Sequence, residues 1–313
     1  MIINDISSSQ EPIIESGSVE MTPDRQIDWF RIIPFILLHI SCLAVFFVGV
    51  SWVAIAAMIG FYLVRMFAIT AFYHRYFSHK AFKTTRTVQF IFAVIGVMST
   101  QNGPLWWAAH HRYHHRHADT PNDLHSPRDG FWYSHMGWFL NKQNFSTQEH
   151  LVKDWIKFPE LRWLDRHSVL VSVMTAASFW IIGSALGYFC PSLNTNGLQF
   201  FVWGFLVSTV LLTHVTLTIN SFAHRFGFRT YDTQDDSRNN WFLAILTLGE
   251  GWHNNHHYCP ASVRQGFVWW QIDISYYVLR MMATVGLVWD LVPIPKKAFI
   301  NKCPQKTVSN IGS

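Results

Sequence analysis

WHNNHH, residues 252–257, places His253, His256 and His257 in an HxxHH pattern. On a helix, residues three and four apart are neighbours on one face, so these imidazoles can address a common point. Imidazole ligates iron, zinc, copper and nickel. Two further stretches repeat the theme: HRYFSH with His74 and His79, and HRYHH with His111, His114 and His115. Three such clusters, set between long apolar segments, read as one metal site assembled from distant pieces of a membrane protein. His111, His114 and His115 repeat the HxxHH face. His74 and His79 are five apart, so they converge only if the helix ends or loosens between them. Asn220 and His224, four apart, can face the same site.

Outward from the clusters the chain is apolar. Residues 32–64 and 168–224 hold no Asp, Glu, Lys or Arg. A spanning helix needs about 20 apolar residues, so four spans are expected at 30–50, 52–72, 168–188 and 198–219. The first two would be joined by a tight turn near 49–52. Both turns between paired spans lack Lys and Arg, which puts the termini and all histidine clusters in the cytoplasm. Residues 88–109 are apolar but broken by Gln101, Asn102, Gly103 and Pro104, and read as a buried or re-entrant segment. Residues 267–294 are broken by Asp273, Arg280 and Asp290 and read as an interfacial or cytosolic helix. The domains follow: a disordered tail at 1–28, a membrane domain at 29–295 whose cytosolic cap comprises 73–167 and 220–295, and a polar tail at 296–313. Residues 1–28 lack the pattern of a signal peptide. The net charge of +5 suits loops against an anionic membrane surface, and no basic run points to nucleic acid. Cys42, Cys190, Cys259 and Cys303 form neither a disulfide framework nor a zinc-finger spacing.

Nine histidines exceed the needs of one ion, and two metals would share them. Asp119, Asp123, Asp236 and Glu250 are placed to orient imidazole N–H groups; the plainer reading of each is a solvated charge. His39 reads as a hydrogen-bonded histidine within the first span. His125 and His135 read as structural or supporting groups, and His150, His167 and His214 as incidental.

HRYFSH, HRYHHRHADT, GFWYSHMGW, NSFAH and GEGWHNNHH followed by VRQGFVWWQID, taken in order, resemble the membrane fatty-acyl desaturases of the stearoyl-CoA (delta-9) type. The matching pieces cover 73–279. The resemblance implies an all-α integral membrane fold, with four transmembrane helices and a cytosolic helical cap holding a histidine-rich di-iron site. It implies one iron on His74, His79, His115, His253 and His257, and a second on His111, His114, His224 and His256 with Asn220 acting through a water. By the same matching, Gln101, Trp107 and Thr216 stand where the acyl tunnel bends; Trp107 also reads as a membrane-interface anchor. The implied reaction is O2-dependent insertion of a cis double bond, at delta-9, into a long saturated chain. No fused cytochrome b5 domain is expected, so two electrons would come from a separate ferredoxin or cytochrome b5 with its reductase. Asp123-Leu124-His125 stands where the family often has DPH, and Ala109-His110 where eukaryotic members often carry Arg-Asp. These departures leave acyl-CoA and acyl-lipid both open as the donor. A bacterial inner membrane is the expected location. Neutral imidazole ligands predict metal release in acid.

Two other readings use the same residues. A histidine-rich di-iron hydroxylase would differ only in its product. A metal transporter would hold its ligands at the bilayer midplane, yet only His39 and His214 lie within the spans.

Overall fold

The computed structural model describes residues 27–300; the expected tails lie outside it apart from 27–28 and 296–300. Among the described residues the chain is mostly helical. Ser51 caps α2 (Trp52–Ser78) by accepting from the Ala54 N–H, and its hydroxyl donates to Gln199 Oε1 at 2.6 Å. That bond closes the turn expected at 49–52 against α7 (Gly197–His224). Before it comes α1 (Trp29–Ser41), with Pro34 inside it and a 3-10 turn (Cys42–Ala44) after it. Proline forfeits a helical hydrogen bond, and the expected first span is a shorter apolar helix, Ile32–Val48. Among the described residues three helices are long and apolar enough to cross a bilayer: α2, α6 (Ser168–Phe189) and α7.

Small residues bring these helices together. A Cβ on Gly183 of α6 would lie 2.3 Å from Phe200 Cβ on α7, the close approach that membrane helices use in place of a hydrophobic drive. The fully buried Arg65 of α2 donates to Ser208 Oγ and Thr209 Oγ1 of α7, both at 2.7 Å.

The apolar break at 101–104 separates α3 (Arg86–Val97) from α4 (Pro104–His117). Gly103 and Pro104 start α4. Asp165, near the end of α5 (Pro159–Arg166), accepts from the Leu105 and Trp106 N–H groups at 3.0 and 2.9 Å. A carboxylate is favourable at a helix N-terminus. The main core lies among the second half of α2, α3, α4 and α5, where Phe72 and Phe92 stack at 3.7 Å. The remaining elements are short: α8 (Trp241–Leu246), α9 (His253–Tyr258) and α10 (Ile274–Thr284). Residues 267–294 hold α10 and no candidate span. A two-residue β1 (Lys83–Thr84) pairs antiparallel with β2 (Val288–Trp289). Lys297–Ile300 forms a helical turn that docks on the buried Tyr231, whose hydroxyl donates to Ala298 O at 2.7 Å.

Candidate metal centre

The last turns of α2, Ala68–Ser78, form a π-helix. Its i→i+5 bonding puts residues five apart in register: the His79 N–H donates to His74 O, and Ser78 Oγ donates to Tyr73 O. The spacing that an α-helix cannot align is aligned here by a wider turn.

Two groups of imidazoles result, each with ligand atoms within 4.8 Å of one another. The first holds His74, His79, His111, His115 and His256; the second holds His114, His224, His253 and His257. This grouping differs from the partition that the resemblance implied. His111 and His256 exchange sides with His253 and His257. The cause is helical geometry: positions i and i+4 differ by about 40° around the axis and i+3 lies about 100° from i+4. Each HxxHH therefore gives its i,i+4 pair (His111 and His115, or His253 and His257) to one group, and its i+3 member (His114 or His256) to the other. Asn220 stands one turn before His224 on α7.

Within the groups Nε2 atoms face each other. His74–His256 and His224–His253 are separated by 3.0 Å, and His79–His111 and His115–His256 by 2.8 Å. Two nitrogens bound at about 2.1 Å and at right angles on one cation sit about 3 Å apart. The tautomers suit a cation as well. Carboxylates accept from Nδ1 of His74 (Glu250, 2.5 Å), His114 (Asp123, 3.0 Å), His224 (Asp119, 2.8 Å) and His257 (Asp235, 2.8 Å). A proton on Nδ1 leaves Nε2 with a bare lone pair aimed into the group. His257 Nε2 is buried without any hydrogen-bond partner, an orphan that a metal ion would satisfy. Burial first, then neighbouring imidazoles, pushes His79, His111, His115, His253 and His256 well below the ordinary histidine range. Burial also holds His257 down at about 4 against the pull of Asp235. Neutral rings are the form that binds metal. Asp119 is disfavoured as an anion by burial, yet His224 and the Asp236 N–H hold its carboxyl at about 2. A third set, His114 with Asp123 and His125, also lies within 4.8 Å, but its carboxylate is already engaged by His114 and by the backbone N–H groups of Asp119 and His125.

Three of the four expected carboxylates stand behind histidines. The fourth, Asp236, pairs instead with Arg128 at 2.8 Å, and its neighbour Asp235 takes the role. Behind Glu250, the fully buried Arg75 bridges to Asp273 at 2.9 Å. Arg75 lies inside HRYFSH, so proximity to a ligand was its visible signal.

An apolar cavity of about 510 Å³ opens beside the first group and is lined by Gln101, Trp107, Thr216 and Asn220 among others. Gln101 Nε2 donates to Thr216 Oγ1 at 3.1 Å, and Trp107 stacks on His111 with ring centres 5.0 Å apart. The three residues expected at a tunnel bend are thus brought together at the metal group.

A fatty acid desaturase family model matches residues 50–288. The chain belongs to the fatty acid desaturase family. It is 38% identical to an acyl-CoA 5-desaturase of Anemone leveillei, covering 88% of this chain and 82% of that one. It is 35% identical to delta-9 acyl-lipid desaturase 1 of Arabidopsis thaliana, covering 88% and 86%. It is 33% identical to the sn-1 stearoyl-lipid 9-desaturase of Anabaena variabilis, covering 87% and 96%. As a member of this family the chain is a membrane oxidoreductase acting on acyl lipids.

One feature of this desaturase escaped the sequence. His214, read as incidental, joins His39 and His135. His39 Nδ1 donates to Phe35 O at 2.7 Å, so its Nε2 accepts from His214 Nε2 at 2.9 Å. His214 Nδ1 in turn accepts from His135 Nε2 at 3.0 Å. The chain of rings ties α1 to α7 and to the helical turn at Tyr133–Gly137.

Proposed function

We propose that the chain inserts a cis delta-9 double bond into long saturated acyl chains, using two iron ions, O2 and two electrons from a separate ferredoxin or cytochrome b5. The observation that carries this reading is the apolar cavity lined by Gln101, Thr216 and Trp107, where Gln101 bonds Thr216 and Trp107 stacks on His111 of the first histidine group. The nine histidines would hold the irons, one in each group, with Asn220 acting on the second through a water. Iron would supply the activation of O2 that oxidation of an unactivated methylene C–H requires. Each turnover consumes one O2, two electrons and two protons, removes two hydrogens from adjacent carbons, and yields a double bond and two waters. The protein's part is to hold the chain bent at one place in a dry cavity, so that position selects the bond. Relatives that carry 9-desaturase in their names support the delta-9 assignment.

The cavity wall includes no charged side chain of Lys, Arg, Asp or Glu, and the lining reaches the exposed Phe30 of α1 and Val169 of α6. An apolar mouth beside membrane helices supports an acyl chain still attached to a bilayer lipid. The reading also includes four crossings, by the Ile32–Val48 segment with α2, α6 and α7, and a cap and termini facing the cytoplasm.

The test is the fatty-acid profile of a bacterial host expressing the chain with an electron donor. A new delta-9 monounsaturated acid is expected, absent in His256→Ala and in anaerobic culture. A hydroxy acid would move the assignment to the hydroxylase reading.

A further inference from the structure

The cap carries an apolar face that the described chain leaves uncovered. Trp241, Phe242 and Ile245 of α8 are exposed, as are Trp269, Trp270 and Ile272 of the loop before α10; Trp269 is 86% exposed and Trp241 61%. Trp252 joins the two parts. Its Nε1 donates to Ile272 O at 2.7 Å, and its ring meets Trp270 edge-on with centres 5.5 Å apart. The residue before it, Gly251, accepts from the Asn240 N–H at the start of α8, at 2.7 Å. Residues 241–249 and 266–272 hold no Asp, Glu, Lys or Arg. Large aromatic side chains grouped on an uncharged face mark an interaction surface.

Depth and backbone chemistry identify what covers it. The carbonyl of Leu246, the last residue of α8, accepts from the Tyr62 hydroxyl at 2.7 Å. Leu248 packs with Tyr62 and Met66 of α2 and with Leu212 and Val215 of α7. A spanning helix needs about 20 apolar residues; counted from Trp52, Tyr62 and Met66 fall inside that length. The end of α8 therefore lies below the level at which α2 leaves a bilayer. Irregular backbone at such a depth is tolerated only where its polar groups are satisfied within the protein. Here the N–H groups of Phe242 and Leu243 donate to Asn240 Oδ1, and those of Ala244, Thr247, Leu248 and Gly249 to main-chain carbonyls. The Thr247 hydroxyl donates to Leu243 O, and Leu248 O accepts from the Ser275 N–H. A loop in water could leave such groups to solvent.

We propose that α8 and the 269–272 loop form a wedge seated in the cap-side leaflet, with lipid acyl chains against its six exposed apolar side chains. This rests on the reading of α2, α6 and α7 as crossings. An apolar face that carries tryptophans suits the boundary between headgroups and chains. The wedge runs directly into the metal groups. A Cβ on Gly251 would lie 2.1 Å from Ala244 N, so α8 and α9 pack as one unit. Glu250, between them, holds His74 Nδ1. Lipid contact thus seats the third histidine cluster at the membrane surface.

The test uses the unmodified full chain in lipid nanodiscs. The probe is phosphatidylcholine with a diazirine near the top of one acyl chain, and carbene adducts are mapped by peptide mass spectrometry after illumination. Adducts are expected on 241–245 and 269–272, at a yield comparable to that on Leu170, Val173 and Met174, exposed residues at the cap-side end of α6. The exposed Lys153 and Lys157 of the cap should carry none. A water-soluble diazirine should give the reverse pattern. Adducts on α6 but not on the wedge, labelling of the wedge by the water-soluble reagent, or cross-links joining the wedge to a second copy of the chain would each overturn the proposal. Failure of the lipid probe to label α6 would instead overturn the reading of the crossings.

Discussion

Asp235 and Asp236 are sequence neighbours with unrelated partners. Asp235 Oδ2 holds His257 Nδ1 at 2.8 Å, while its Oδ1 accepts from the Ser237 N–H. Asp236 lies outside, half exposed on Arg128. Groups that orient a ligand histidine are typically worth 10–100-fold in metal affinity. Asp235→Asn is therefore expected to lower iron affinity by about that factor, and Asp236→Asn to leave it unchanged; chelator competition reads both. His110 gives a pH prediction. Its Nδ1 donates to Trp106 O, and burial pushes it down to about 4 from the ordinary 6.5. Between those values the unfolded chain binds a proton that the folded chain refuses. Its contribution to stability is therefore full above pH 6.5 and is lost as pH falls toward 4. The loss is of order 3 kcal/mol at about 1.4 kcal/mol per pH unit. Thermal unfolding of metal-free protein should show this decline, added to that of the other buried histidines, and His110→Phe should make it shallower. The convergence of the histidines was legible because their residue type and spacing announce metal chemistry. Asp235 was not, because one register step along TQDDS depends on how the loop closes.

At the scale of elements, the π-helix at the end of α2 converts a spacing of five into a shared face. HRYFSH announced that the helix must loosen, but nothing in its letters distinguishes a π turn from a helix end. The two HxxHH helices were legible as faces. Their split between two groups was not, because it depends on where the opposing helices stand. The close packing of α2 on α3 is equally specific. A Cβ on Gly96 would fall 2.0 Å from Cε1 of Tyr73, which is fully buried and donates to Asn102 O at 3.0 Å. Tyr73 adjoins His74, so the ring cannot yield without moving a ligand. Gly96→Ala should destabilise the protein by about 1–3 kcal/mol, the usual cost of overpacking, and reduce iron content; thermal unfolding and metal analysis check both.

Across the whole molecule, charge-free runs located the three long helices and the break at 101–104 placed α4 beside the metal groups. The first apolar run yields a shorter helix than expected, since Pro34 and the 3-10 turn at Cys42–Ala44 interrupt it. The cavity was invisible as a shape, because it is enclosed by α1, α4, α7 and the loop around Trp138, which only folding brings together. Metal loading should act on the whole molecule too. Bare lone pairs facing one another at 2.8–3.0 Å favour an ion between them. Iron at about 100 times its dissociation constant stabilises by about 2.7 kcal/mol per site, so chelation should lower Tm and re-addition of iron should restore it. The most direct measurement is anomalous diffraction at the iron edge on crystals of the iron-loaded protein. Two peaks per chain are predicted, one enclosed by His74, His79, His111, His115 and His256, the other by His114, His224, His253 and His257. A single peak, or a peak between His114, Asp123 and His125, would contradict the account.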